Sequence, residues 1–212
     1  LVYESLSRWG KAKLIYRSIV KLMPGYVDAW LRLAVLARNS GQVELAKRYF
    51  VDAEKNSPKS TNGKPATPKA VDSIILRGAM SLKLEKLGDA QEVFERVVKS
   101  LDPQDVYSHV ALGNIYFTVA SDAAKFKRGG EDTTAKEQKY QVSSLQPPNA
   151  PVAARLRVIS SYSTTLRAQE YAMMNYRRGF DLSKKRSIHA ANGVGMVLLE
   201  QGFMAEAKII FQ

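Results

Sequence analysis

A period of 34 residues is the feature that most constrains the fold of this chain. A small residue, an aromatic residue and a proline each recur at this spacing, as Ala12 and Ala46, Tyr16 and Phe50, and Pro24 and Pro58. A fixed period of this length indicates a tandem array of two-helix units, in which each unit buries its apolar face against its neighbours. The period therefore predicts an all-α repeat protein that presents an extended surface to other chains.

The unit at residues 27–59 matches the tetratricopeptide pattern. Its landmarks are Trp30, Leu33, Ala34, Ala37, Gly41, Ala46, Phe50, Ala53 and Pro58. Small residues at 34 and 46 let two helices approach closely, whereas the aromatic rings fill the space between hairpins. Pro58 cannot continue a helix, because it has no N–H to donate, and it ends the unit. We predict a tetratricopeptide-repeat α-solenoid, a right-handed superhelix of helix hairpins.

The same landmarks recur along the rest of the chain. Residues 1–24 form the end of one repeat, and 71–103 form a repeat with Gly78, Ala90 and Phe94 in register. A third repeat has its first helix at 106–119 and its second at 168–184, and residues 188–212 form a partial repeat. Both ends of the chain fall inside a repeat, so we expect a fragment of a longer solenoid.

Two insertions interrupt the pattern. The segment 56–69 contains three prolines among polar residues and reads as a solvated loop. The insertion at 121–165 splits the third repeat, beginning with a charged, mostly basic stretch up to residue 140. Its proline-rich part, 141–151, is predicted to be irregular or disordered. Residues 152–182 contain no proline and should form an elongated helix that extends the third repeat's second helix backwards.

The net charge of +12 is the one compositional extreme. The positive residues gather outside the repeat landmarks, and the cluster just before the partial repeat at 188–212, here called the basic patch, consists of Arg177, Arg178, Lys184, Lys185 and Arg186. It favours an acidic partner, which would be nucleic acid, an acidic protein segment or an acidic polymerase surface. The alternative is a solvated surface, and no aromatic residues interleave with these cations as base stacking would require.

Catalysis and cofactor binding have little support. The chain has no cysteine, which excludes disulfides and thiolate chemistry, and its only histidines are His109 and His189. His109 falls at the bulky interior position that Trp30 holds in its own repeat, and His189 is predicted to face the groove. We therefore predict a protein that is not an enzyme and that holds no metal or cofactor. No apolar run is long enough for a membrane span.

The first helices of tetratricopeptide repeats line the concave groove, and their groove positions are readable from the landmarks. The candidate partner-binding residues are Leu31, Val35, Arg38, Ile75, Leu82, Val110, Asn114, Phe117, Asn192 and Met196. Apolar residues at 31, 75 and 110 exclude the Lys–Asn clamp with which chaperone-binding repeats hold a terminal carboxylate. An apolar groove with a few amides suits an amphipathic helix or an extended apolar segment. The alternative for any one residue is packing against a neighbouring repeat.

Three stretches are more specific than the repeat landmarks. They are residues 26–34 (YVDAWLRLA), 106–116 (VYSHVALGNIY) and 190–198 (AANGVGMVL). Together with the Phe-Glu-Arg at 94–96, they resemble the tetratricopeptide scaffold subunit of the polymerase-associated-factor (PAF) complex, in the same order. The resemblance covers most of the chain outside 56–69 and 121–165, and both insertions look longer than in familiar members.

The resemblance implies a nuclear, non-enzymatic scaffold of the PAF complex. Its partners would be the complex's namesake subunit, the parafibromin-like subunit and RNA polymerase II. The linked roles would be transcription elongation and support of histone ubiquitination and methylation. The competing interpretation is a basic helical-repeat protein that binds RNA or DNA directly through its Lys and Arg clusters, and the steep salt dependence of phosphate binding separates the two.

Overall fold

A computed structural model describes residues 2–59, 67–129 and 161–212, and the regular elements in these residues are helices. The chain divides into two compact units, residues 1–103 (unit 1) and 104–212 (unit 2). Unit 1 contains α1 (Val2–Ser5), α2 (Trp9–Leu22), α3 (Val27–Asn39), α4 (Val43–Asn56), α5 (Pro68–Lys83) and α6 (Leu87–Arg96), followed by a π-helical turn (Val97–Leu101). Unit 2 contains α7 (Val106–Gly129), α8 (Ser161–Leu182), α9 (Ile188–Glu200) and α10 (Met204–Phe211). None of the helices in the described residues combines the length and apolar character that crossing a bilayer requires.

The turn between the two helices of a hairpin needs a left-handed backbone. Gly41 joins α3 to α4 with φ of 78°, and Gly202 joins α9 to α10 with φ of 88°. The amide of Gln42 then returns to the carbonyl of Ala37 at 2.9 Å, which closes the end of α3. Glu85 occupies the same turn between α5 and α6 with φ of 56°, a conformation that costs a non-glycine residue about 1–2 kcal/mol.

An aromatic ring seated on a small residue forms the centre of each hairpin in unit 1. Phe50 is fully buried in a cluster with Ala34, Ala46 and Met80, which joins α3, α4 and α5. Phe94 is also fully buried and lies against Gly78, where an added Cβ would come within 2.8 Å of the ring. The predicted burial of both phenylalanines is confirmed.

Trp30 fixes the packing of α2 against α3. Its ring is half-buried beside the cluster of Val20, Ala29 and Leu33, and it lies 6.2 Å from the ring of Tyr49. The indole Nε1 donates to the carbonyl of Pro24 at 2.8 Å. The tryptophan therefore fills a gap between helices and also holds the end of the preceding repeat.

Ion pairs link successive hairpins of unit 1. Side chains of α4 and its neighbours meet in the pairs Lys47–Asp89 (2.8 Å), Lys86–Glu44 (2.9 Å) and Arg96–Glu54 (2.6 Å). The hydrogen bond from Lys86 lowers the pKa of Glu44, and the same bond raises the pKa of Lys86. Ion pairs at the protein surface contribute little to stability, because water screens the charges, so the apolar clusters hold the hairpins together.

In unit 2, α7 and α8 form one hairpin and α9 packs against α8. The carboxylate of Asp105 caps α7 by accepting from the amide of Ser108 at 2.8 Å, and the Ser187 hydroxyl caps α9 by accepting from the amide of Ala190 at 3.2 Å. The ring of Tyr176 on α8 lies between Gly113 and Gly193, and an added Cβ at either glycine would come within 2.6 Å of it. These two glycines therefore let α7 and α9 close on the same aromatic ring.

Helix α7 is longer than the predicted span 106–119, because it continues to Gly129. Residues 120–128 contain several alanines and basic residues and lack proline and glycine, so helical propensity carries the first helix into the predicted insertion. Helix α8 begins at Ser161 among the described residues. The predicted irregular segment 141–151 lies outside the described residues, as do the central part of the 56–69 loop and residues 152–160.

Candidate partner-binding faces

The candidate residues of unit 1 lie on one face of α3 and one face of α5, two helices that contact each other. This unit 1 face consists of Leu31, Val35, Arg38, Ile75 and Leu82, all half-buried. Leu31 also packs on the Phe50 cluster, and Ile75 packs on a cluster with Ile74, Val93 and Val97. Val35 and Leu82 are not among the residues that pack on these two clusters, so their partial exposure makes them the better test of a binding role.

The candidate residues of unit 2 lie on α7 and α9, which also contact each other. This unit 2 face consists of Val110, Asn114, Phe117, Asn192 and Met196. Asn114, Asn192 and Met196 are exposed, whereas Phe117 is half-buried. Val110 is half-buried too, and its Cγ2 lies 3.2 Å from the position that a Cβ on Gly179 would take. The valine therefore contributes to the α7–α8 contact as well as to the face.

A hydrogen bond that the sequence did not predict joins the buried Tyr176 to Asn114 on the unit 2 face. The hydroxyl of Tyr176 donates to Oδ1 of Asn114 at 2.7 Å, joining α8 to α7. Burial raises the pKa of Tyr176 to about 12, so the phenol is neutral and remains a donor at physiological pH. The pattern of landmarks treats position 176 as an aromatic ring and does not distinguish Tyr from Phe.

His109 has a polar partner as well as a packing role. Its ring is half-buried, and Nδ1 lies 3.2 Å from Oδ1 of Asn175 on α8. The Nδ2 of Asn175 donates to the carbonyl of Tyr171 at 2.9 Å, which fixes the amide that faces the imidazole. His189 is exposed at the start of α9. No group of three or more His, Asp or Glu side chains able to hold a metal occurs in the part of the chain that the structure describes.

Each of the five residues of the basic patch is exposed. Lys184 and Lys185 follow α8 with φ of 54° and 62°, so both adopt the left-handed conformation in the turn before α9. A cleft of about 490 Å³ lies beside α8, where Met173 and Met174 supply apolar surface next to Arg177 and Arg178. Glu170 and Asp181 also line the cleft, so its own charge is balanced and the excess positive charge lies in the turn.

Comparison with known proteins identifies relatives of the whole chain, although no protein-family model matches it. A protein of Arabidopsis thaliana named "Protein CTR9 homolog" is 25% identical over 208 residues, which cover 98% of this chain. A Caenorhabditis elegans protein named "RNA polymerase-associated protein CTR9" is 27% identical over 217 residues, covering 100% of this chain. Along its whole length the chain is similar to CTR9 proteins.

The CTR9 similarity confirms the family resemblance that the three sequence stretches and Phe-Glu-Arg predicted. It extends over the first and second repeats as well as over unit 2, because the aligned residues cover nearly the whole chain. The chain spans 15% of the length of each of these two CTR9 relatives. The alignment therefore covers one segment of each relative.

The fold has solved counterparts outside the CTR9 relatives. Two crystal structures of MamA match with TM-scores of 0.62 and 0.61, covering 99% of this chain and 82% and 88% of theirs. Their sequences are only 12% and 13% identical, so this likeness concerns the fold alone. MamA is a tetratricopeptide-repeat protein, and the predicted all-α tetratricopeptide fold class is confirmed.

Proposed function

We propose that this chain is a segment of the scaffold subunit of the PAF transcription-elongation complex, and that it binds other subunits of the complex through its unit 1 and unit 2 faces. The observation that carries the proposal is the similarity to CTR9 proteins of a plant and a nematode across nearly the whole chain. One of these relatives is named as associated with RNA polymerase. The partners would be the namesake subunit, the parafibromin-like subunit and RNA polymerase II, in the nucleus.

The described surface supports a binding role. Val35 and Leu82 leave apolar surface partly exposed on unit 1, and Met196 leaves 45% of its surface exposed on unit 2. Apolar surface at such positions gains free energy when a partner covers it. The segment would therefore act as a non-enzymatic scaffold that supports elongation and, through the assembled complex, histone ubiquitination and methylation.

A second candidate function is direct binding of RNA or DNA by the basic patch. It is favoured by the exposure of all five cations, together with the net charge of +12. Phosphate binding by several cations weakens steeply as salt rises, whereas apolar contact changes little. Salt dependence therefore distinguishes the two candidates.

The proposal is tested by affinity purification of the full-length parent protein, with nuclease treatment and identification of the chains that co-purify. We expect the PAF subunits to remain bound after nuclease treatment and in high salt. Recovery that depends on nucleic acid, or loss of the PAF subunits when salt is raised, would favour the basic-patch function instead. A deletion of residues 27–101 provides the matched comparison, since it removes the unit 1 face and leaves the basic patch.

A further inference from the structure

The turn between α8 and α9 departs from the repeat pattern in a way that packing does not require. The turns before α3 and α7 carry Pro24 and Pro103, in each case three positions ahead of the first residue of the helix. The equivalent position before α9 is Lys185, which Lys184 and Arg186 flank. All three cations are exposed, and none of them forms an ion pair with a side chain of the described residues. Their charge therefore remains available to another molecule.

A serine follows these cations directly. Residues 184–188 (KKRSI) place the hydroxyl of Ser187 after three positive charges and before Ile188, which is 72% exposed. Serine kinases of the basic-directed class select this pattern, because carboxylates in their substrate groove pair with cations ahead of the acceptor serine. Residues 183–187 lie between the two helices and Ile188 is the first residue of α9, so only the start of that helix has to fray. The turn can thus enter a kinase groove without unfolding of unit 2.

The hydroxyl of Ser187 is half-buried and caps α9. It accepts from the amide of Ala190 at 3.2 Å, and the amide of Ser187 donates to the hydroxyl of Ser183 at 3.0 Å. Asp105 holds the equivalent position before α7, and its carboxylate accepts from the amide of Ser108 at 2.8 Å. The neighbouring repeat therefore carries a negative charge at this position, which the start of a helix favours. A phosphate on Ser187 would place a negative group where the fold already accepts one.

We propose that Ser187 is a phosphorylation site for a serine kinase that reads basic residues, and that the phosphate takes over from the hydroxyl as the cap of α9. In the transfer, Oγ of Ser187 bonds to the γ-phosphorus of ATP, the bond from that phosphorus to the β,γ-bridging oxygen breaks, and ADP leaves. The hydroxyl proton passes to a carboxylate of the kinase. The inference goes beyond the proposed function, because it requires no PAF subunit.

Phosphorylation changes the charge of the basic patch and the start of α9 together. A phosphoserine adds about 1.5 to 2 negative charges at neutral pH, next to a patch of five cations. Its three phosphate oxygens can accept from amides that the first turn of a helix leaves unpaired, so the cap becomes stronger. The buried rings of unit 2 are not involved, and the repeat should keep its fold.

The test is incubation of the full-length parent protein with ATP and the catalytic subunit of cAMP-dependent protein kinase, with the modified residue located by mass spectrometry. We expect phosphate on Ser187 of the folded protein. Lys184→Gln with Lys185→Gln should lower the rate at Ser187 by about ten- to a hundredfold, because charged contacts to the kinase are lost. Hydrogen exchange should be slower at the first amides of α9 in the phosphorylated protein than in the unmodified one.

Two further variants serve as matched controls. Ser187→Asn should accept no phosphate at this position and should fold as wild type, because asparagine also caps a helix. Ser183→Ala removes a hydroxyl that precedes the cations instead of following them, so the rate at Ser187 should stay close to that of wild type.

The contrary outcomes are equally specific. Phosphate that reaches Ser187 only after heat denaturation, or not at all, would overturn the site. Equal rates in wild type and the double Gln variant would show that the cations do not direct the kinase, and faster hydrogen exchange after phosphorylation would overturn the cap. None of these measurements uses a PAF subunit, so a failure of PAF capture leaves them unchanged, and their failure leaves the scaffold function standing.

Discussion

At the scale of single residues, the fold depends on aromatic rings seated on glycine. Phe94 lies on Gly78 and Tyr176 lies on Gly113 and Gly193, in each case so closely that a methyl group would not fit beside the ring. The close approach of the helices lets each ring lose contact with water completely, which is worth about 1.5–3 kcal/mol per large apolar side chain. Phe211 lies on Gly195 in the same way.

The burial of Phe94 predicts a large loss of stability when its ring is removed. Phe94→Ala should lower the free energy of unfolding by about 3–5 kcal/mol, because it leaves a cavity between α5 and α6. Chemical denaturation of the variant measures this loss, and a stability close to that of wild type would contradict the burial described here.

Tyr176 predicts a loss of stability in alkali. Burial raises its pKa to about 12 in the folded protein, whereas an unfolded tyrosine titrates near 10. Between these pH values the unfolded chain releases a proton that the folded chain keeps, so the free energy of unfolding falls as pH rises from about 10 to about 12. Denaturation of wild type and Tyr176→Phe across this range should show a smaller fall in the variant, and parallel curves would mean that Tyr176 titrates normally.

The residue scale also shows where sequence reasoning stopped. Burial of Phe50 and Phe94 followed from their shared position among the repeat landmarks, because packing alone sets those positions. The hydrogen bond between Tyr176 and Asn114 joins residues on different helices, separated by 62 positions in the chain. No periodic pattern reports such a pair, although a Tyr at a landmark position that carries Phe in three other repeats is a signal that a comparison between repeats can find.

At the scale of the elements, the turns determine where one helix ends and the next begins. Gly41 is one of the repeat landmarks, and Gly41 and Gly202 both have a positive φ. Glu85 adopts the same conformation without the freedom of glycine, so sequence composition did not identify that turn by type. The length of α7 was missed for a related reason, since the repeat pattern ends the helix near 119 while the local sequence continues to favour helix up to Gly129.

Two glycines with open space around them give a matched test of this account. Neither Gly41 nor Gly10 would bring an added Cβ within 4 Å of another group, but only Gly41 has a positive φ. Gly41→Ala should therefore destabilise the protein by about 1–2 kcal/mol through backbone strain. Gly10→Ala, inside α2, should stabilise it by about 0.5–1 kcal/mol. Thermal unfolding of both variants checks the prediction, and a shift in the same direction for both would refute it.

At the scale of the whole molecule, the chain presents two helical units whose first helices carry partly exposed apolar side chains, together with an exposed basic patch. The landmarks were enough to predict the fold class, which the MamA likeness confirms. The landmarks could not decide which surface binds a partner. A half-buried side chain such as Leu31 or Ile75 packs on the core and also leaves part of its surface exposed, so its position fits either role. The central claim is that the apolar faces, rather than the basic patch, capture the partner.

The most direct measurement of that claim is the dissociation constant of the recombinant namesake subunit for two variants of the full-length parent protein. The first changes Val35 and Leu82 to Glu, and the second changes Arg177, Arg178, Lys184 and Lys185 to Glu. The first variant should fold because neither Val35 nor Leu82 is a repeat landmark, and the second should fold because it changes only exposed side chains. Circular dichroism checks the helical content of both variants. We expect the apolar-face variant to bind about 100-fold more weakly or not at all, because two carboxylates would have to be desolvated under the partner. The charge-reversal variant should lose much less, and the opposite ranking would contradict the account.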